Sequence, residues 1–239
     1  MKTVIMIPTY NEAGSIESVI DELLGLSLEE MEIMVVDDNS PDGTGEIVSR
    51  LADQDRRVKL LSRTEDRGRG RAGREGFLRA LADGAELIVE MDGDGSHDPA
   101  DLPQLLAPVR RGEAEVVIGS RFVAGGGVEG RERFRDLLST MARGYLRLVL
   151  GITVQDPTSG YRVFNRQALE AIDPGSLTAT DPFIVAQVLY RCGKKGLSIT
   201  EVPITFKARR SGTSKLRPRT LIAYLFRVWR LKLGERNFG

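Results

Sequence analysis

The sequence predicts an α/β fold built on a mostly parallel central sheet with helices on both faces. Two observations carry this. Short apolar runs suited to buried strands alternate with helical patterns through the first half of the chain. Acidic or polar clusters follow the ends of several of those runs, where the carboxyl edge of a parallel sheet lines a ligand crevice.

Val4-Ile5-Met6-Ile7 reads as the first strand and ends in Pro8-Thr9-Tyr10-Asn11-Glu12. Ile16, Val19, Ile20, Leu23 and Leu24 repeat at helical spacing, marking a helix over about 15–26. Strand 32–37 leads into Asp37-Asp38-Asn39-Ser40-Pro41-Asp42-Gly43, a turn signal, followed by a helix carrying Ile47, Val48 and Leu51. A strand near 58–61, a helix near 72–83, strand 87–91, a helix near 101–111 and strand 116–119 follow. The second half is less regular. Glycine-rich loop 124–130 precedes a helix near 135–150, a turn at Asp156-Pro157-Thr158-Ser159-Gly160, a helix near 181–193 and strand 198–206. A basic helix ends the chain. Without repeats or a linker, 239 residues read as one domain over 1–216 with a basic amphipathic helix over 217–239.

Composition narrows the chemistry. The hydrophobic fraction of 41% and charged fraction of 28% are those of a folded globular chain. A single cysteine, Cys192, excludes a disulfide framework, and its place in a helical apolar pattern marks it as a buried thiol. A single histidine, His97, excludes a multi-histidine metal site and suits structural support of the loop around it. No basic-then-apolar leader opens the chain, which gives no expectation of secretion. The longest apolar stretch near the C-terminus is Leu221 to Phe226, against roughly 20 residues for a membrane span. Zero net charge hides an asymmetry: residues 205–239 hold ten Lys or Arg and one acid. With Phe226 and Trp229 among those cations, the terminal helix fits either a membrane surface or the protein's own core.

Asp92-Gly93-Asp94 is the centre of the functional argument. Placed on a strand, the two carboxylates share one face, because the strand period is two. Two carboxylates aimed at one point suit Mg²⁺ or Mn²⁺ that also bridges a substrate diphosphate, with Ser96 a further oxygen on that face. Gly68-Arg69-Gly70-Arg71-Ala72-Gly73 matches a dinucleotide fingerprint. It follows the third strand rather than the first, however, and Arg67, Arg69 and Arg71 make it strongly basic. It reads as a flexible turn near an anionic ligand, with a dehydrogenase as the alternative. Lys207, Arg209, Arg210 and Lys215 flank Ser211-Gly212-Thr213-Ser214, a composition suited to a loop over phosphate. Arg135 and Ser139, four apart, share a helix face that can hold a phosphate.

Together these motifs resemble the family-2 inverting glycosyltransferases, specifically the dolichol- or polyprenol-phosphate mannosyltransferase branch. The carrying segments are 8–12, Val36 to Thr44, Met91 to Pro99, Gly119-Ser120-Arg121, Asp156 to Arg162, Glu201 to Ile204 and Gly212 to Lys215. Gly93 and Gly95 depart from the pattern, standing where larger apolar residues are expected. The resemblance implies a Rossmann-like nucleotide-sugar-binding (GT-A) fold. It implies metal-dependent transfer of a sugar, mannose from GDP-mannose first, to a polyprenyl or dolichyl monophosphate. Pro8, Tyr10, Glu12, Val36 and Asp38 would hold the nucleoside; Asp92 and Asp94, with Ser96 nearby, the metal. Gly93 would sit at the donor beside them. Arg121, Arg209 and Lys215 would grip the sugar diphosphate, and Arg135 with Ser139 would receive the lipid phosphate. Asp94 and Arg121 are the implied catalytic residues.

The expected partners are a nucleotide sugar, a polyprenyl or dolichyl phosphate, and a membrane surface or separate anchoring protein, with no nucleic acid. The expected location is the cytoplasm, peripheral to the cytoplasmic face of a membrane. Other readings are a family-2 enzyme using UDP-glucose or UDP-GlcNAc, one acting on a sugar hydroxyl, and a non-enzymatic nucleotide-binding module. A phosphate acceptor is already anionic at neutral pH and needs no general base, which suits a chain rich in arginine and poor in histidine.

Overall fold

The structure, a computed structural model, describes residues 1–129, 133–207 and 218–234; the side chains of 133–139 and 218–225 are outside that description. The first half alternates as expected: β1 (Thr3–Thr9), α1 (Ile16–Leu24), β2 (Met31–Asp37), α2 (Thr44–Gln54), β3 (Val58–Ser62), α3 (Arg69–Ala82), β4 (Leu87–Glu90), α4 (Leu102–Arg110) and β5 (Val116–Ser120). The second half adds β6 (Gly127–Val128), α5 (Arg133–Leu150), β7 (Arg162–Asn165), α6 (Arg166–Ala171), α7 (Ile184–Lys194), β8 (Ile199–Pro203), β9 (Thr205–Phe206) and α8 (Pro218–Gly234).

Seven strands form the main sheet in the order β3-β2-β1-β4-β7-β5-β8. All neighbours are parallel except β7, which runs antiparallel to both β4 and β5. The chain steps outward from β1 to β2 and β3, then returns to β4 on the other side of β1. That reversal opens a crevice at the carboxyl ends of β1 and β4. The sheet is apolar on both faces because side chains alternate along each strand. Ile5 and Ile7 of β1 pack with α1, α2 and α4 through Ile16, Val19, Val48, Leu102 and Leu105. Val4 and Met6 point the other way and join Phe77 of α3, Leu146 of α5, Ile184 of α7 and Val228 and Leu231 of α8.

Four features depart from the sequence reading. β7 and α6 were not anticipated: four strand residues and six helical ones are too short to show a period. Asn165 ends the strand and caps the helix, accepting from the Ala168 N–H at 2.7 Å. The strand expected over 198–206 breaks at Ile204, and its second part, β9, leaves the main sheet to pair with β6. The Gly68–Gly73 segment is no flexible turn. α3 begins at Arg69, and Gly70, Ala72 and Gly73 are buried. A Cβ on Gly68 or Gly70 would overlap the carbonyl oxygens of Thr180 and Ala179, so these glycines let the helix start lie directly on segment 179–181. The C-terminal helix contributes Val228 and Leu231 to the shared core and leaves Phe226 and Leu233 outside, 74% and 56% exposed. Cys192 is buried as expected, and burial pushes its thiol up to about 12.

Two helical glycines separate packing from propensity. Gly70→Ala in α3 should destabilise the fold by about 1–3 kcal/mol through overpacking. Gly144→Ala in α5 meets nothing within 4 Å and should stabilise it by about 0.5–1 kcal/mol through helix propensity. Urea unfolding midpoints of the two variants check this; equal shifts would contradict the packing account of Gly70.

Candidate active site

A cleft of about 510 Å³ opens at the reversal point, within the usual range for small-ligand sites. Pro8, Tyr10, Glu12, Asp38, Asp92, Gly93, Asp94 and Arg121 all line it, as the sequence predicted. So do Arg69, His97, Thr158 and Gly160, from segments the sequence reading set near the ligand or among the motifs, and Ala142, Val185 and Phe206, which it did not place there. The loop before β7 arrives because β7 is antiparallel: Arg162 stands opposite Glu90, so the residues preceding it meet the carboxyl end of β4.

The β2 loop holds the β1 loop through consecutive backbone groups. The N–H of Asn11 donates to Ser40 Oγ, that of Glu12 to Thr44 Oγ1 and that of Ala13 to Asp42 Oδ2, each at 3.0 Å. Asp37 accepts from Thr9 Oγ1 at 2.9 Å and from the Ser40 hydroxyl at 2.6 Å, so it ties the two strand ends together. Tyr10 and Glu12 are thereby presented to the cleft by a backbone that is hydrogen-bonded on both flanks. Asp38 accepts from the Gly68 N–H at 2.7 Å and pairs with buried Arg63. Val36 lies elsewhere. Its side chain is fully buried in the core beside Gly76, and only its backbone approaches the strand end.

The acidic pair is on a loop rather than a strand. β4 stops at Glu90, so the shared-face argument from strand period does not apply. The loop's own contacts bring Asp92 and Asp94 to the cleft instead. Asp94 Oδ1 accepts from the Ser96 N–H at 3.0 Å and the Ser96 hydroxyl at 2.5 Å. Ser96 is buried, so its hydroxyl orients Asp94 rather than facing the cleft. The Asp92 N–H donates to His97 Nδ1 at 3.1 Å, and the ring stacks on Tyr161 with centroids 5.0 Å apart. Burial pulls the His97 pKa below its usual value, so the ring acts as a neutral acceptor. Gly95 adopts a φ of 75°, which favours glycine. A side chain on Gly93 would press within 3.1 Å of the Ile7 and Thr9 methyl groups. These contacts account for both glycines that departed from the family pattern.

Among the described residues no group of three or more His, Cys, Asp or Glu side chains is placed to hold a metal alone. Two carboxylates still fit a hard divalent cation, which commonly takes one or two carboxylates and completes its shell with water and substrate phosphate. Gly160 belongs to this fit, because a Cβ there would lie 3.2 Å from Asp92 Oδ2.

Arg121, at the end of β5, is held by Asp156. Its Nε and Nη2 donate to the two carboxylate oxygens at 2.7 Å each, and Nη2 also donates to Thr158 Oγ1 at 2.6 Å. The guanidinium lies 5.1 Å from the Phe206 ring centroid. Arg121 therefore both faces the cleft and anchors the 156–160 loop. Under the floor, Arg69 Nη2 donates to Glu90 Oε1 at 2.9 Å and to Asp92 Oδ1 at 3.3 Å, while Arg162 pairs with the other Glu90 oxygen. One signal for this network was in the sequence: Glu90 interrupts the apolar run Leu87 to Met91, and a buried acid demands a cation. Arg209 and Lys215 fall outside the described residues. Arg135 and Ser139 lie in the first half of α5, with side chains outside the description.

Burial alone would raise the Asp156 pKa, but hydrogen bonds and charge from Arg121 outweigh it and hold the carboxyl below its ordinary value of 3.8. A depressed folded-state pKa contributes stability that is present above the unfolded value and lost as pH falls through the folded one. Asp156→Asn should cost about 3–5 kcal/mol at pH 7 by stranding the Arg121 charge. The gap to the unaltered protein should narrow below pH 4. Urea unfolding at pH 7 and pH 3 measures both; a gap independent of pH would contradict the ion-pair account.

Comparison with known proteins agrees with this geometry. Over 229 residues the chain is 39% identical to a polyprenol monophosphomannose synthase of Mycolicibacterium smegmatis, covering 95% of this chain and 85% of that protein. Over 216 residues it is 39% identical to an undecaprenyl-phosphate mannosyltransferase of Micrococcus luteus, covering 90% and 88%. A dolichol-phosphate mannosyltransferase of Pyrococcus furiosus is 36% identical across 98% of this chain and 65% of its own length. Among solved structures, glucosyl-3-phosphoglycerate synthase from Mycobacterium tuberculosis, in complex with Mn²⁺, uridine diphosphate and glucosyl-3-phosphoglycerate, superimposes with a TM-score of 0.69 at 22% identity. It covers 98% of this chain and 79% of that one. At that identity the likeness establishes the GT-A fold alone. The glycosyl transferase family 2 model matches residues 4–173, and the chain belongs to that family.

Proposed function

We propose that the chain transfers mannose from GDP-mannose to a polyprenyl or dolichyl monophosphate, with inversion at the anomeric carbon. The observation that carries this reading is the cleft lined by Asp92, Asp94 and Arg121, in a chain 39% identical to lipid-phosphate mannosyl enzymes over most of its length. An acceptor phosphate oxygen forms the new bond to the sugar C1 as the bond from C1 to the GDP oxygen breaks, and GDP leaves. A phosphate monoester is ionised at pH 7, so no side chain has to remove a proton. His97 fits that economy: its Nδ1 accepts from the Asp92 backbone.

The residues divide by charge. Pro8, Tyr10, Glu12 and Asp38, with the Val36 backbone, hold the nucleoside end. Asp92 and Asp94 hold Mg²⁺ or Mn²⁺, Ser96 orients Asp94, and Gly93 leaves room beside them. When bound, that cation would offset charge on the departing diphosphate. Arg121, Arg209 and Lys215 counter the remaining donor charge, and Arg135 with Ser139 receives the lipid phosphate.

Asp94→Asn keeps an oxygen acceptor for Ser96 and should fold normally, yet lower turnover by about 100-fold or more. Radiolabelled mannose transfer from GDP-mannose to a polyprenyl phosphate, with GDP and UDP as competing inhibitors, tests the whole reading. Near-normal turnover by the variant would remove the metal assignment, and tighter competition by UDP would point to a uridine donor instead.

The acceptor also calls for a membrane surface, and no described helix is long and apolar enough to cross one. We infer peripheral contact at the cytoplasmic face through the outer sides of α5 and α8. Met141 and Leu148 of α5 are exposed, as are Phe226 and Leu233 of α8, the helix packed against it, with Arg147 and Arg230 also exposed. Apolar burial adds to about 1 kcal/mol per cation at anionic lipid. Because Val228 and Leu231 are core, deleting 217–239 would damage the fold; replacing Phe226 and Leu233 with Ser spares it. That double variant should lose co-sedimentation with anionic liposomes and lose activity on long-chain acceptors more than on short soluble ones. Equal activity losses on both would assign the anchor to another protein.

A further inference from the structure

Arg69 is the residue that links the buried charges to the cleft. Glu90 is fully buried at the end of β4, with Arg69 on one carboxylate oxygen and Arg162 on the other. Arg162 is anchored in turn, its Nη1 donating to the Val185 carbonyl at 3.0 Å. Two guanidinium groups thus share one buried carboxylate, leaving an excess positive charge beneath the cleft floor. A further anion in contact is Asp92, whose Oδ1 accepts from the same Arg69 Nη2 that serves Glu90. Asp92 is 35% exposed while Glu90 is sealed, so the chain of charges runs from core to solvent in one line.

We propose that Arg69 is a positioning residue for Asp92 and its resident counter-charge, with Glu90 and Arg162 as the fixed support. This rests on the reading of Asp92 as a metal carboxylate. Held on buried Glu90, the partly exposed Arg69 guanidinium has little freedom, so it fixes the orientation of the Asp92 carboxylate before any ligand arrives. The 156–160 loop closes the other side, with Gly160 against Oδ2. Preorganisation of this kind removes reorganisation from the binding step. The same positive charge opposes a divalent cation at Asp92. Arg69 therefore trades metal affinity for carboxylate geometry, and the two effects separate on substitution.

Arg69→Leu leaves Glu90 paired with Arg162, so no buried charge is stranded and the fold should persist. Mn²⁺ binding to the nucleotide-free variant, followed by electron paramagnetic resonance of free Mn²⁺, should be about fivefold tighter from lost repulsion. At saturating Mn²⁺ and donor, kcat should fall about tenfold or more from lost orientation. Arg69→Lys keeps the charge on a shorter, unforked chain, so Mn²⁺ affinity should stay unchanged while kcat falls. A purely structural Arg69 would lower the unfolding temperature and move neither quantity. Unchanged or weaker Mn²⁺ binding by Arg69→Leu, or unaltered kcat in either variant, overturns the proposal. Should Arg69→Leu fail to fold, the Lys variant alone decides through kcat. Absence of any Mn²⁺ binding by the unaltered protein would instead remove the metal reading on which the inference stands.

Discussion

Negative charge gathered at one edge of the sheet is the constraint around which this molecule is organised. Asp37, Asp38, Glu90, Asp92, Asp94 and Asp156 all stand near the carboxyl ends of its strands, and carboxylates so placed repel one another unless each is matched. The matching is unequal. Asp37 is satisfied by hydroxyl and amide donors, Asp38 by Arg63, Asp156 by the fork of Arg121, and Glu90 by two arginines. These acids become structural joints that fasten loops to strand ends. Asp38 also lines the cleft but is committed to buried Arg63, whereas Asp92 and Asp94 come to the same cleft side by side from one loop.

The unequal matching separates scaffold from chemistry. Asp156 holds Arg121 in a fixed orientation, so the guanidinium faces the cleft on a rigid support. Asp42 and its neighbours fix the β1 loop, so Tyr10 and Glu12 are held at the cleft on an already ordered backbone. The antiparallel β7 is the architectural device behind half of this arrangement. It brings Asp156, Thr158 and Gly160 to the same edge as the parallel strand ends, and it carries Arg162 to Glu90.

Much of this was legible before any coordinates. Apolar runs and acidic strand ends located the alternation of elements and the cleft, because both depend on local patterns. What stayed hidden depends on partners distant in the chain. Val36 looks like its neighbours in sequence, and only the packing of Gly76 against it shows that its side chain is core. The Gly68–Gly73 segment has the composition of a loop, and only segment 179–181 explains why a helix needs those glycines. Asp92 and Asp94 were assigned to the cleft on strand geometry that the structure does not have. They reach it through Ser96 and His97, contacts within the loop that strand periodicity cannot express. Glu90 and Arg162 are 72 positions apart, so their pairing required β7, an element too short to announce itself.

The small ladder of β6 and β9 bears on how such an enzyme can diversify. Gly127 pairs with Thr205 and Val128 with Phe206, and the Lys207 N–H donates to the Ser96 carbonyl at 3.0 Å. The chain enters 130–132 and 208–217 from these adjacent rungs, one leading to the helix of Arg135 and the other to the segment of Arg209 and Lys215. Their points of origin are fixed to the loop of Asp92 and Asp94. Insertions or substitutions beyond the rungs can therefore be accommodated without moving the acidic pair. Descendants of one ancestral sequence can vary these two short segments while inheriting the loop of Asp92 and Asp94 intact.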